Sequence, residues 1–128
     1  RTTVGSIGYV NQSYVKDEIR AAALENKSGE FIKPSVESGS LALNGIALDE
    51  NLAGTDPNPT AEGAYPIATL TWVLAYETGN GNKTEAVKDT FRKLLSTEYQ
   101  EKASKLGYVP LRGDILEKSR AAVETISN

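Results

Sequence analysis

The residues that most invite a chemical reading are Gly79-Asn80-Gly81-Asn82-Lys83-Thr84, a glycine-rich turn ending in Lys-Thr. A phosphate-cradling P-loop needs glycine directly before the lysine and another five positions earlier. Asn82 and Glu77 stand there instead, so the segment reads as a turn followed by a helix cap. Asp49, Glu50 and Asp56 offer hard oxygen ligands, but they lack the alternating spacing and closing glutamate of a calcium loop. Glu25 and Glu30 flank a turn, and nothing marks them as a catalytic carboxylate pair. Asn11, Asn26 and Asn82 each open an N-x-[ST] tripeptide, which reads as coincidence, and Pro59 bars Asn58. Three prospective helix starts, at Ser35, Asn82 and Asp114, would offer free amides to an anion. Asn82 and Asp114 carry an acid three positions on (Glu85 and Glu117), which leaves Ser35 the least obstructed.

The absent residue types narrow the chemistry further. The 128-residue sequence has no cysteine, which excludes disulfides, thiolate metal sites and cysteine nucleophiles. It has no histidine, which removes the usual base near neutral pH and any Ser-His-Asp arrangement. The chain is therefore read as a non-enzyme with no cofactor and no metal; a small enzyme ranks last among the alternatives. The net charge of −3, with lysines and arginines interspersed among acids, argues against a nucleic-acid partner. An apolar fraction of 39% and a charged fraction of 24% are those of a folded domain able to bury a core. The chain starts at Arg1 and contains no methionine, so it reads as a processed product or a fragment. No signal-peptide pattern is visible, and no apolar run is long enough to span a bilayer.

The elements that would position these residues follow from periodicity and punctuation. Val4 to Val10 is β-rich and predicts a strand, and Ile19 to Leu24 fits either strand or helix, its length favouring a strand. Asn26-Lys27-Ser28-Gly29 predicts a turn with Phe31-Ile32-Lys33 as the returning hairpin arm. Pro34 and the N-cap Ser35, with Glu37 in the first turn, predict a helix from about Val36 to Leu48. Residues 51–64, with Pro57 and Pro59, form the one linker-like stretch. Residues 67–76 carry apolar and β-branched side chains on both faces and predict a central covered strand. Asn82 with Glu85 predicts a capping box opening a helix that runs to Gly107, with Val87, Phe91, Leu94 and Leu95 inward. Acid-first pairs such as Asp89 with Lys93 and Glu98 with Lys102 support its outer face. Asp114 with Glu117 predicts a second capping box, with Ile115, Ser119, Ala122, Val123 and Ile126 inward. Core packing is the default for the aromatic residues, with Tyr65 singled out as a hinge or cleft candidate. The mixture indicates an α/β class.

Four segments, in order, carry a resemblance. Gly5-Ser6-Ile7-Gly8-Tyr9-Val10 resembles the Gly-x-Ile-Gly-Tyr-Val strand of the PstS-type phosphate-binding proteins, with Tyr14 in the place of a following aromatic. Phe31-Ile32-Lys33-Pro34-Ser35-Val36-Glu37-Ser38 resembles their hairpin-to-helix entry. Ala64-Tyr65-Pro66-Ile67 with Thr71-Trp72-Val73-Leu74 is similar to a further strand, and Leu106-Gly107-Tyr108-Val109-Pro110-Leu111 to the family's last link before a closing helix. The match runs from about residue 4 to 126.

The resemblance implies a type II periplasmic-binding-protein-like fold, of which this chain is the C-terminal portion covering parts of both lobes. Residues 1–62 would end the second lobe and residues 63–128 would complete the first, with Tyr65 and Pro66 at the hinge or cleft. The implied function is a phosphate-binding solute receptor (fragment) for ABC-type inorganic phosphate import, periplasmic or extracytoplasmic, with lipid anchoring open for the full-length protein. Implied partners are inorganic phosphate, a membrane ABC permease, and a missing N-terminal half or self-association. The family's phosphate-contacting loops all precede its Gly-x-Ile-Gly-Tyr-Val strand, and Thr2 and Thr3 fall too late to stand for the last of them. No phosphate-binding residue is therefore assigned in this chain. The alternative is a receptor-derived interaction scaffold without phosphate binding.

Overall fold

A computed structural model describes residues 3–16 and 18–128; Thr2, weighed above, lies outside the described residues. The architecture is helices plus one small antiparallel sheet. Strand β1 (Leu24–Glu25) pairs with β2 (Phe31–Ile32), Leu24 opposite Ile32 and Glu25 opposite Phe31. The expected hairpin thus forms at Asn26–Gly29, where Gly29 takes φ +83°, a conformation that glycine adopts without strain. Ile19 to Leu24 contributes only its last residue to the ladder.

Helix α1 (Val36–Asn44) begins where Pro34 and Ser35 predict. The Ser35 side chain accepts from the Ser38 amide at 3.0 Å while Ser38 Oγ accepts from the Ser35 amide at 2.9 Å, a reciprocal cap. The helix ends at Gly45 and not at Leu48, because Ile46 and Leu48 turn into the core.

The long helix expected from Asn82 to Gly107 is two helices. α2 (Thr84–Leu94) follows a 3-10 turn at Gly81–Lys83, and α3 (Thr97–Lys105) starts afresh at Ser96, whose hydroxyl accepts from the Tyr99 amide. A serine at this point competes for backbone amides and re-nucleates the helix in a new direction. Gly107 closes α3 as predicted: the Tyr108 amide donates to Ala103 O and the Gly107 amide to Ser104 O, both at 3.1 Å, with Gly107 at φ +83°. α4 (Gly113–Thr125) then runs to the C-terminus. Neither expected capping box forms. Lys83 and Arg112 occupy the N-cap positions without side-chain caps, and Glu117 instead pairs with Arg120 at 3.0 Å.

The core gathers Leu43 and Ile46 from the end of α1, Leu70, and Ile115 from α4, with Leu48, Ala68, Val109 and Leu111 packed around them. It draws on residues both before and after the 51–64 linker. Gly39 lets α1 approach Val109: a Cβ there would lie 2.6 Å from Val109 Cγ2. The inward stripe of α4 is borne out at Ile115, Val123 and Ile126, all buried.

Two expected strands have no ladder. Residues 4–10 and 71–76 are not in regular secondary structure and lie exposed. Their β-rich composition needs a neighbouring strand to hydrogen-bond, and among the described residues the one sheet pairs only β1 with β2. The covered central strand expected at 67–76 is overturned for the same reason: Leu70 is buried, but Leu74 is 94% and Tyr76 82% exposed. Core packing fails for six of the nine aromatic residues, Tyr9, Tyr14, Phe31, Trp72, Tyr76 and Tyr108, which are exposed; three of them lie in the two ladder-free runs.

Candidate functional site

Asn26 is the hub of the best-organised polar cluster. It is buried at the start of the hairpin turn. Its Oδ1 accepts from the Ser28 amide (3.1 Å), the Ser28 hydroxyl (3.0 Å) and the Glu30 amide (3.0 Å), an Asx-type turn. Its Nδ2 donates to Glu30 Oε2 at 3.1 Å and across 38 residues to Ala64 O at 3.3 Å. Glu30 Oε2 also accepts from the Gly63 amide at 2.9 Å. That backbone donor, with Asn26 and Ser28, holds the Glu30 carboxyl below its ordinary range against a smaller opposing effect of burial. Beside it, the Tyr65 amide donates to Ser38 O at 3.1 Å. Residues 63–65 are thereby bound to the hairpin and to α1. Tyr65 itself is half-buried and Pro66 buried.

The helix start at Ser35, the least obstructed anion candidate by sequence, is taken by the chain's own groups. Ser38 fills the cap, and the Glu37 carboxylate is held below its ordinary range by its own backbone amide and by Ser35. Asp49, just before the linker, and Asp56, within it, are likewise engaged in turns. Asp49 Oδ1 accepts from the Asn51 and Ala53 amides, each at 2.9 Å, and Asp56 Oδ1 from the Asn58 amide at 3.3 Å.

A groove of about 490 Å³ between α2 and α4 contains Arg92 and Arg120. Both arginines are already paired. Arg92 donates to Glu124 at 2.8 and 2.7 Å and to Asp89 at 3.0 Å, pulling the Glu124 carboxyl down to about 2. The outer-face partner of Asp89 is thus Arg92, not the expected Lys93, whereas the Glu98–Lys102 pair forms at 2.6 Å as expected. Arg120 donates to Leu95 O at 2.9 Å, satisfying a carbonyl left open at the end of α2. The groove is a helix seam.

The run 71–76 is tied at both ends. Trp72 Nε1 donates to Leu52 O at 2.9 Å. At the other end Asn80 Nδ2 donates to Tyr76 O (2.8 Å) and Ser127 O (3.2 Å), and the Ser127 amide donates to Glu77 O at 2.7 Å. The Thr84 hydroxyl bonds Asn128 Oδ1, closing a clasp between the chain's last residues and the start of α2.

No family model matches the chain. Among curated proteins it is 33% identical over 123 residues to the phosphate-binding protein PstS of Xylella fastidiosa, covering 91% of this chain and 33% of that protein. To PstS of Methanocaldococcus jannaschii it is 29% identical over 146 residues, covering 98% of this chain and 36% of the relative. To PstS of Pasteurella multocida it is 31% identical over 126 residues, covering 94% and 36%. The chain is PstS-like. It spans about a third of the length of the curated relatives it matches.

The PstS-like motifs fall on structural joints. Phe31–Ser38 is the β2-to-α1 turn with its reciprocal serine cap. Ala64-Tyr65-Pro66 is the segment bound to Asn26 and Ser38. Leu106–Leu111 contains the α3 stop and delivers Val109 to Gly39. The motif at 5–10 is exposed. Sequence reasoning missed Asn26 as a hub, having read it only as a turn residue and part of an N-x-S match. The signal was its spacing to Ser28 and Glu30, two and four residues on. It also missed Ser96, whose signature was Ser-Thr-Glu directly after Leu95. Among the described residues no helix is long and apolar enough to cross a membrane.

Proposed function

We propose that this chain is part of a phosphate-binding solute receptor serving ABC-type import of inorganic phosphate outside the cytoplasmic membrane. What carries the reading is the PstS likeness along 91–98% of the chain. In this reading the fold is type II periplasmic-binding-protein-like, residues 1–62 end one lobe, and residues 63–128 complete the other. Tyr65 and Pro66 mark the crossover. At that point the hairpin and α1, both within residues 1–62, hold residues 63–65 in place. Phosphate would be held mainly by the part of the receptor that this chain does not cover, and closure of the lobes around it would be read by the membrane permease.

A second reading is a receptor-derived interaction scaffold that does not bind phosphate. It is favoured by the self-satisfied helix start at Ser35, where Ser38 and Glu37 already occupy the amides an anion would use.

Solution molar mass and phosphate calorimetry on the same sample separate the two. The receptor reading expects weak or no phosphate binding by the 13.7 kDa chain alone and tight binding once a polypeptide carrying the remaining receptor length is bound to it. A stable complex with such a polypeptide that stays indifferent to phosphate would leave the scaffold.

A further inference from the structure

Two asparagines stand directly before a glycine, Asn44 before Gly45 and Asn80 before Gly81. Such a pair has its own covalent chemistry, because glycine puts no side chain in the way of its amide nitrogen. That nitrogen attacks the asparagine Cγ: an N–Cγ bond forms, the Cγ–Nδ2 bond breaks, and Nδ2 leaves as ammonia with the proton the nitrogen loses. One water then opens the succinimide ring, at Cγ to give aspartate or at the main-chain carbonyl to give isoaspartate. Water is the only co-reactant.

Around Gly81 nothing obstructs the attack: the residue is exposed, and a Cβ there would meet nothing within 4 Å. Asn80 is what resists. It is half-buried, and its backbone lies in the αR region (φ −76°, ψ −13°), from which it must turn before Cγ can reach the Gly81 nitrogen. Its Nδ2 donates to Tyr76 O at 2.8 Å and to Ser127 O at 3.2 Å, so ring closure must break both bonds. Ser127 is itself held in place, its amide donating to Glu77 O at 2.7 Å while the next residue, Asn128, is bonded by Thr84.

We infer that Asn80 is a deamidation site gated by the clasp on the chain's last residues, and that its reaction opens the clasp for good. The product brings about the opening. An ionised aspartate or isoaspartate has acceptors only, so a carboxylate oxygen faces the Tyr76 and Ser127 carbonyls where Nδ2 donated to them. Repulsion replaces two hydrogen bonds, and residues 127–128 leave the start of α2. The change runs one way, since the ammonia is lost to solvent, and it records the protein's age at one joint of the fold.

Peptide mass spectrometry with isoaspartate detection, on the full chain incubated near neutral pH, tests the gate. Ser127→Pro removes the donor to Glu77 O, and Ile126 already has the extended backbone (φ −59°, ψ 126°) that a following proline requires. Asn80 in this variant should deamidate about fivefold or more faster than in the parent, the factor that one lost hydrogen bond supplies. Asn44, exposed at the end of α1, is the internal reference and should keep its rate. Equal Asn80 rates in parent and variant would overturn the gate. A rise shared equally by Asn44 would assign the protection to the fold as a whole and also overturn it. Amide exchange tests the opening. Asn80→Asp should speed exchange at the Ser127 amide by about fivefold or more while α1 and α3 stay protected, with Asn80→Ala, which removes the donors without adding charge, in between. An Asn80→Asp chain whose Ser127 amide exchanges as in the parent would overturn the opening.

Discussion

Replacing Asn26 by alanine removes five hydrogen bonds at once. Three reach Oδ1, at 3.0–3.1 Å from Ser28 and Glu30, and two leave Nδ2, at 3.1 Å to Glu30 and 3.3 Å to Ala64 O. They are not equal in cost. The Ser28 and Glu30 groups are part-exposed and can turn to water, so those four bonds together contribute only about 1 kcal/mol. Ala64 is wholly buried, and its carbonyl, stripped of the Asn26 donor, costs about 1–3 kcal/mol. A loss of about 2–4 kcal/mol in unfolding free energy follows, at the upper end of ordinary single substitutions. Urea unfolding is the assay. With a slope of about 2 kcal/mol per molar, the middle of the range for small proteins, the midpoint should fall by roughly 1–2 M with the slope unchanged. Asn26→Asp keeps the acceptor but sets a second carboxylate against Glu30, so near neutral pH it should be at least as destabilising. A midpoint shift of less than about 0.3 M for Asn26→Ala would mean that water replaces the amide freely and that the hairpin does not hold residues 63–65.

Ser96→Ala should cost about 1 kcal/mol and increase amide exchange in the first turn of α3, whereas Asn82→Ala, at a position that caps nothing, should stay within about 0.5 kcal/mol in the same melts. The Glu124 carboxyl is depressed from 4.5 to about 2, chiefly by its hydrogen bonds from Arg92. A group held low in the folded state stabilises above its unfolded pKa and loses that contribution as protons bind, so the α2–α4 seam should weaken as pH falls from 4.5 towards 2. Thermal melts across that window should show a smaller acid-side slope for Glu124→Gln than for the parent. Gly54→Ala would set a Cβ 2.3 Å from Ala47 O, a backbone atom that cannot rotate away, and should cost about 2 kcal/mol or more. Gly8→Ala, with nothing within 4 Å, should be silent in the same denaturation experiment.

What could be read in advance was local. Pro34-Ser35, the Asn26–Gly29 turn, the Gly107 stop and the Ile115/Val123/Ile126 stripe each depend on neighbours within a few residues, and each appears where its chemistry requires. The two capping boxes failed although their spacing was right, because Glu117 found a cation in Arg120 and Thr84 began α2 two residues after Asn82. The strand at 67–76 failed for a different reason. Apolar residues on both faces state what a segment would bury, not whether a partner is present to bury it. The tie between Asn26 and Ala64 spans 38 residues, a distance over which composition carries no signal. Tyr65 was singled out from its place beside the linker, and its amide bond to Ser38 is a contact of the backbone that side-chain patterns do not announce.

The core couples the middle of the chain to its far end. Leu43 and Ile46 wait for Leu70 and then for Ile115, so closing it draws together points about seventy residues apart. During synthesis α1 must leave the ribosome long before its packing partner exists, and at ordinary elongation rates several seconds pass with its apolar face open. Contacts this distant make folding slow for a chain of this length. The hairpin and the capped start of α1 can form at once. The interval between them and Ile115 is when a protease or a holding chaperone would find this protein most accessible.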